Sequence, residues 1–140
     1  MMKVRFFVIF AICLFFCTAF SVYGQSINGS WFYEEDGINE DLGEYSISET
    51  LTIQNGTYTL ITEMTCQYGP FRGWGEKGTV NVSRPDIYFK PTEETNNIFD
   101  DEWEKIPPSV MMKINTFRYE LSENLLILIK DNQRKVYRRQ

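Results

Sequence analysis

The sequence predicts an all-β protein: a single small antiparallel, up-and-down β-barrel of about eight strands that follows an N-terminal signal peptide. Short runs of alternating apolar and polar residues recur with turn residues every ten positions or so, the pattern of a sandwich or barrel. Asn55-Gly56 lies between two such runs, and both residues tolerate the positive φ of a type I′ hairpin turn. Sequential hairpins favour up-and-down closure, which leaves no exposed strand edge.

Size and composition restrict the class of protein. The chain has 140 residues, 43% hydrophobic and 16% aromatic, which predicts one globular domain. A net charge of −5 argues against binding to nucleic acid, which requires a basic face. The chain has no histidine, and Cys66 is the only cysteine beyond residue 24, so zinc sites, Ser-His-Asp triads and Cys-His pairs are excluded. We therefore expect no catalytic set, no metal and no cofactor.

Residues 1–24 have the order of a secretory signal peptide. Two positive charges in residues 1–5 precede the apolar run Phe6–Phe20, and Val22 and Gly24 are the small residues of a cleavage site. Cleavage after Gly24 leaves residues 25–140 as the barrel domain, without a transmembrane segment, in the periplasm, the outer envelope or the extracellular space. The alternative is an uncleaved membrane anchor. Cys66 is then a small buried hydrophobe or a free thiol.

The Asn55-Gly56 turn predicts a register for the central hairpin. With these two residues as the loop, the facing pairs on one side are Ile53–Tyr58, Leu51–Leu60, Glu49–Thr62, Ile47–Met64 and Tyr45–Cys66. The other side holds mostly serine, threonine and glutamine, so one face is apolar and one is polar, as in a sheet that covers a core. Glu49 is the exception, a carboxylate on the apolar face.

The remaining elements follow in order. Before the hairpin we expect a strand at Ile27–Glu35 and a polar connection at Asp36–Glu44. After it we expect a loop at Gln67–Glu76, then short strands at Gly78–Val82 and Asp86–Lys90 that turn at Ser83–Pro85. Pro91–Pro108 interrupts the β pattern and predicts a long loop with one or two helical turns, whose apolar side holds Ile98, Trp103 and Ile106. Four strands complete the chain: Val110–Asn115, Phe117–Leu121, Leu125–Lys130 and Lys135–Arg139.

The C-terminal hairpin has a second predicted register. Ser122–Asn124 suits a three-residue loop with Asn124 in the left-handed region, which sets Phe117 against Ile129, Tyr119 against Ile127 and Leu121 against Leu125. The last turn, Asp131–Arg134, has two or four loop residues, and either length places Arg138 on the same face as Val136 and Ile127.

Asn28-Gly29-Ser30-Trp31 at the first strand resembles the Gly-x-Trp signature of the lipocalins, and the chain is similar to small bacterial lipocalin-like domains. The resemblance covers the whole mature chain, through Leu51–Tyr58, Gly78–Val82 and Tyr119–Leu121. It implies that Trp31 closes the barrel floor and that a basic residue of the last strand, Arg138 or Arg139, packs over it. The family's middle Thr-Asp-Tyr motif is missing and the mature chain is shorter, which argues against a spacious calyx.

Glu49 is the sharpest functional candidate because an unpaired carboxylate is costly on an apolar face. It is either a polar anchor for a ligand head group, acting with Thr62 or Tyr119, or a structural residue that reaches water or pairs with Arg138. Phe71 and Trp74 form an aromatic lip over the barrel mouth, a docking surface or part of the core. The candidate ligand-binding residues of the interior and mouth are Glu49, Leu51, Tyr58, Leu60, Thr62, Met64, Phe71, Trp74 and Tyr119.

Three functions remain open. The first is an exported, non-enzymatic barrel that binds a small, mostly hydrophobic molecule. The second is a secreted or envelope protein-interaction or inhibitor module that uses the barrel as a rigid scaffold. The third is a hydrolase or isomerase in which Glu49 and Tyr119 transfer protons. An apolar cavity of a few hundred Å³ favours the first, and a solid core favours the second. The acidic run Asp100–Glu104 lacks the spacing of a calcium loop and predicts a solvated loop.

Overall fold

A computed structural model describes residues 26–107 and 114–140, and these residues form nine β-strands and no helix. The predicted signal peptide and most of the predicted strand Val110–Asn115 lie outside the described residues. The strands are β1 (Gly29–Asn39), β2 (Gly43–Gln54), β3 (Thr57–Cys66), β4 (Arg72–Ser83), β5 (Asp86–Thr95), β6 (Glu104–Lys105), β7 (Asn115–Leu121), β8 (Leu125–Lys130) and β9 (Gln133–Arg139).

Eight of these strands close into one antiparallel barrel, which confirms the predicted fold class. The order around the ring is β1-β2-β3-β4-β5-β7-β8-β9, and β9 returns to β1 through the pairs Trp31–Arg139 and Phe32–Arg138. The two-residue strand β6 adds to β5 beyond the end of β7. All pairings join antiparallel neighbours, mostly successive in the chain, as an up-and-down barrel requires.

The central hairpin has the predicted register throughout. Asn55 and Gly56 have φ values of 48° and 83°, the left-handed conformations of a two-residue type I′ loop. Ile53 pairs with Tyr58, Leu51 with Leu60 and Glu49 with Thr62. Leu51, Ile53 and Tyr58 are all buried, so the apolar face is the inner face of the barrel.

The acidic segment Asp36–Glu44 is largely strand, and its prediction as a connection was wrong. β1 continues to Asn39 and β2 begins at Gly43, and the two pair along their whole length. Residues 34–36 and 38–42 are mostly exposed, because this end of the hairpin extends past the closed ring. Charged side chains cost little on such a solvated ribbon, so acidity there does not exclude a strand. The predicted loop Gln67–Glu76 likewise ends early, because β4 begins at Arg72.

The predicted helical turns in Pro91–Pro108 are absent from the described part of that segment, up to residue 107. β5 continues through Pro91 to Thr95, with a bulge against β4 between Lys77 and Gly78. A proline is tolerated at such an irregularity. A Cβ on Gly78 would lie only 2.0 Å from the carbonyl oxygen of Lys90, so only glycine allows this close approach of the backbones.

The apolar residues of this segment do pack, although on the outside of the barrel. Ile98 lies against Gly73, and Trp103 lies against Gly75 with the Lys77 ammonium 3.8 Å from the centre of the indole ring. Ile106 is buried. Residues 96–106 therefore cover the outer face of β4, where two glycines make room for large side chains.

The predicted register of the C-terminal hairpin was wrong by one residue. Tyr119 pairs with Leu128 and Leu121 with Leu126, which leaves a four-residue loop, closed by a hydrogen bond from the Ser122 amide to the Leu125 carbonyl. The slip exchanges the faces of β8: Leu126 and Leu128 are buried, and Leu125 is exposed. Asn124 does not have a positive φ, so the left-handed residue that the three-residue loop needed is missing.

The last turn has two loop residues, Asp131 and Asn132, with φ values of 50° and 63°. Arg138 shares a face with Val136, as predicted, and that face is the outer one, where both are exposed. Its assignment as the residue that packs over Trp31 was wrong. Arg139 lies there instead, with its guanidinium carbon 4.2 Å from the centre of the indole ring.

The core lies at the end of the barrel closed by Trp31, which is fully buried and donates a hydrogen bond from Nε1 to the Ile27 carbonyl at 2.9 Å. β1 to β5 contain 10 to 12 residues, and β7 to β9 contain only 6 or 7. Because the first five strands extend past the last three, the opposite end is open. The buried cluster at the closed end is Trp31, Leu51, Ile53, Tyr58, Val80, Ile87, Phe89, Leu126, Leu128 and Tyr137.

Candidate functional site

The barrel contains a cavity of about 760 Å³ above this core. Its apolar lining comes from Leu51, Tyr58, Leu60, Phe89, Phe117 and Leu128. Its polar and charged lining comes from Tyr33, Glu35, Glu49, Glu76, Lys135 and Tyr137. At the open end the lining is completed by Asn115, Lys130, Asp131, Gln133 and Arg134. The interior is therefore divided between an apolar wall and a larger number of polar and charged residues, several of which lie at the open end.

Glu49 is the centre of the polar wall. Its side chain is only 12% exposed, and Oε1 accepts a hydrogen bond from Lys135 Nζ at 2.7 Å. Oε2 accepts a second hydrogen bond from the Tyr137 hydroxyl. The Lys135 ammonium also lies 4.8 Å from the centre of the Tyr33 ring. This carboxylate can remain inside the barrel because an ammonium and a phenol replace the water it has lost.

The sequence predicts the inward direction of Glu49 and misses its partners. Thr62 is opposite Glu49 and buried, and Tyr119 packs against the core, but neither hydrogen-bonds to Glu49 within the described ranges. Arg138 is on the outer face and does not pair with it. The partners come from β9, which neighbours β2 only across β1.

Two further tyrosines of the cavity also donate to carboxylates. The Tyr33 hydroxyl donates to Glu35 Oε2 at 2.7 Å, and the Tyr58 hydroxyl donates to Glu76 Oε1 at 2.9 Å. The hydrogen bond to Glu35 raises the pKa of Tyr33 to about 12. Burial, with the adjacent carboxylates Glu76 and Glu49, raises the pKa of Tyr58 and Tyr137 well above the ordinary value for a phenol. All three phenols remain protonated donors at neutral pH.

The structure brings together four of the nine predicted binding residues. Glu49, Leu51, Tyr58 and Leu60 line the cavity. Met64, Phe71 and Trp74 line a separate outer pocket of about 580 Å³ together with Phe99. Thr62 and Trp74 line a small side pocket of about 140 Å³, which shares Leu60 and Glu76 with the main cavity. Tyr119 lines none of these pockets.

Phe71 and Trp74 are neither core residues nor a lid over the cavity. They are 47% and 39% exposed, and the ring centre of Phe71 lies 5.4 Å from that of Phe99, which is 64% exposed. The two residues thus form an exposed aromatic patch near the open end and do not line the main cavity. The patch is formed by the start of β4 and the segment after β5.

Sequence reasoning missed Glu76, Phe89, Phe117, Lys135 and Tyr137 as cavity residues. Glu76 could have been predicted from its position opposite the inward-facing Leu60 in the β3–β4 pair. Residues 67–76 were predicted as a loop, so this strand pair was not considered. Lys135 and Tyr137 alternate on the inner face of β9, and their signal was that period of two. The register error in the preceding hairpin directed attention to the wrong face.

In the described ranges, no three cysteine, aspartate or glutamate side chains are grouped so that they could hold a metal ion. The same residues include no helix of the length and apolarity needed to cross a membrane. No protein-family model matches the chain, and no curated protein matches it in sequence. The geometry of the cavity is therefore the basis for any functional argument.

Proposed function

We propose that this protein is an exported, non-enzymatic, lipocalin-like barrel that binds a small, mostly hydrophobic molecule in its interior. The observation that carries the proposal is the open cavity of about 760 Å³. Small-molecule sites are concave, of roughly 300–1,000 Å³, and combine an apolar lining with a few polar groups that orient the ligand. The inner part of this cavity supplies such an apolar lining through Leu51, Leu60 and Leu128 with the aromatic rings, and Glu49 with its partners supplies polar groups.

The closed end of the barrel supports the lipocalin-like part of the proposal. Trp31 of the Gly29-Ser30-Trp31 motif lies at the floor, and Arg139 of the last strand stacks on it. These are the two roles that the resemblance implies. Export to the periplasm, the outer envelope or the medium rests on the leader-like residues 1–24 alone.

The contacts of the polar wall favour binding over catalysis. Lys135 and Glu49 are paired with each other, and the proton of each nearby phenol is already donated to a carboxylate. A general base or nucleophile needs a free lone pair of suitable pKa directed at the substrate. A preformed network of this kind orients a bound molecule without reacting with it.

The test is titration of the purified protein with the uncharged, environment-sensitive dye N-phenylnaphthylamine. We expect saturable fluorescence enhancement from one site. Leu60→Trp fills part of the cavity and should weaken binding about ten-fold or more, because the indole takes the place of the dye. Leu125→Trp makes the same change on the exposed outer face and should leave binding unchanged.

Native mass spectrometry of the same preparation reports any retained small molecule and the mature N-terminus. No dye binding by protein that is free of such a molecule would refute the proposal. Equal weakening by both tryptophan variants would show that the dye binds outside the cavity.

The alternative function, a secreted or envelope protein-interaction or inhibitor module, is favoured by one observation. Phe71, Trp74 and Phe99 form an exposed aromatic patch, and contiguous exposed apolar surface often marks a protein contact. The result that would favour this function is a co-purifying protein that is lost on Phe71→Ser, together with undetectable dye binding.

A further inference from the structure

The charges of the cavity lining distinguish between classes of ligand. Glu49 and Lys135 neutralise each other at 2.7 Å. At the mouth, Arg134 pairs with Glu120 outside the cavity at 3.7 Å, and Lys130 and Asp131 are exposed neighbours of opposite charge. The Lys130 ammonium lies 5.3 Å from the centre of the Phe117 ring, so a ligand cation on that ring would displace it toward solvent. Glu35 is exposed as well. The remaining charged residue of the lining is Glu76 of β4, which is half-buried.

Glu76 has a hydrogen-bond donor and no counter-ion. Tyr58 donates to its Oε1 at 2.9 Å, and within residues 26–107 and 114–140 no lysine or arginine forms an ion pair with it. A hydroxyl donor stabilises a carboxylate without cancelling its charge. Among the described residues that line the cavity, Glu76 is therefore a carboxylate without an ion-pair partner, at about the level of Leu60.

The carboxylates that stand in the same row as Glu76 are exposed to solvent, so Glu76 is the member of this row that lines the cavity. Glu76 pairs with Glu94 of β5, and Glu94 pairs with Glu104 of β6, so three carboxylates stand in one row. Like charges directly opposite each other destabilise a sheet. The adjacent row on the other face alternates in sign, with Lys77, Glu93 and Lys105.

The cavity that Glu76 lines also contains aromatic rings that pack against one another. Tyr58 and Phe89 meet edge to face with ring centres 4.9 Å apart, and Phe89 and Phe117 meet in the same way at 5.9 Å. All three line the cavity with Glu76. Aromatic faces attract cations, and they bind substituted ammonium groups best where water is excluded.

From these contacts we infer that the ligand is a cationic amphiphile: an ammonium group that pairs with Glu76 among the rings of Tyr58, Phe89 and Phe117, joined to an apolar portion that lies against Leu51 and Leu60. This inference rests on the proposed ligand-binding function and gives it a chemical class. An anionic amphiphile of the same length would meet the unpaired Glu76 carboxylate and is disfavoured.

Three probes of equal chain length test the charge: decyltrimethylammonium, decanol and decanoate. Each is titrated into the purified protein by calorimetry at neutral pH, below its aggregation concentration. We expect the ammonium to bind about ten-fold more tightly than the alcohol and the carboxylate to bind more weakly than both. Glu76→Gln retains an acceptor for Tyr58, and it should lower the affinity for the ammonium to that for the alcohol.

Glu34→Gln is the matched control, since it removes the same formal charge from an exposed position on the outer face of β1. This substitution should leave the affinities for all three probes unchanged. Added salt should leave the affinity for decanol unchanged. Phe117→Leu should weaken the ammonium more than the alcohol and tests the aromatic contribution separately.

The possible outcomes separate the two proposals. Binding of decanol with no preference for the ammonium over decanoate overturns the charge inference and leaves the binding function intact. Binding of the ammonium that is insensitive to Glu76→Gln also overturns the inference. Failure of all three probes to bind, in protein free of retained ligand, refutes the proposed function and this inference with it.

Discussion

Replacing Arg139 by methionine should destabilise the barrel far more than the same replacement at Arg138. The two residues are adjacent, have equal charge and lie in the same strand. Arg139 stacks on Trp31 and donates to the carbonyl oxygens of Glu123, Asn28 and Ser26 at 2.8, 2.9 and 3.0 Å. Arg138 is on the exposed outer face.

The magnitude follows from these contacts. Each hydrogen bond is exposed, so the charged donor loses little hydration, and each contributes about 0.5 kcal/mol, the low end for an intramolecular hydrogen bond. The stacking of the guanidinium on the indole adds about 1 kcal/mol. The expected loss for Arg139→Met is therefore about 2.5 kcal/mol. Arg138→Met should change the free energy of unfolding by less than about 0.5 kcal/mol, as is usual at exposed positions.

Urea unfolding followed by tryptophan fluorescence measures both values. With a slope of about 1–3 kcal/mol per molar urea, the midpoint for Arg139→Met should fall by about 0.8–2.5 M. The near-ultraviolet circular dichroism of folded Arg139→Met should also change, because the stacked indole loses its partner. Equal midpoints for the two variants would refute the assignment of Arg139 as the residue that closes the barrel floor.

A double-mutant cycle with Glu49→Gln and Lys135→Met should give a coupling energy of about 1 kcal/mol. The coupling energy is limited because the Lys135 ammonium is half-exposed. A coupling energy near zero would show that the ion pair does not stabilise the fold. Folding raises the pKa of the phenols of Tyr58 and Tyr137, so their stabilising effect is complete below the ordinary value of about 10 and is lost as the pH rises further. Stability should fall above pH 10 by about 1.4 kcal/mol per pH unit for each phenol. Tyr58→Phe should reduce this slope in urea titrations, whereas Tyr68→Phe, at an exposed site, should not.

The register of the central hairpin could be predicted from the sequence because the turn residues and the alternation along both strands indicate the same pairing. Asn55-Gly56 determines the loop length, and the alternation on both sides allows only one register that buries Leu51, Ile53 and Tyr58 together. Closure of the barrel followed from the number and spacing of such ribbons. These features depend on residues close in the chain.

The C-terminal hairpin lacked that agreement. β8 is apolar on both faces. A register shift by one residue therefore replaces Leu126 and Leu128 on the inner face by Ile127 and Ile129, and the pattern of apolar residues is equally compatible with both registers. Loop length was the only remaining signal, and Asn124 suited a three-residue loop that the chain does not form. The acidic tip of β1 and β2 was missed for a different reason, because solvated ribbons need no apolar face.

The partners of Glu49 depend on contacts between distant parts of the chain. Alternation within β2 fixes the direction of the carboxylate, but Lys135 is 86 residues away and approaches it only when β9 returns to β1. Tyr33 stands between them, opposite Glu49 on β1. An isolated hairpin would leave Glu49 in a solvated face at little cost, whereas the closed ring desolvates it and supplies the ammonium in the same step. The ion pair therefore favours the pairing of β9 with β1, since loss of that pairing would separate the two strands that hold it.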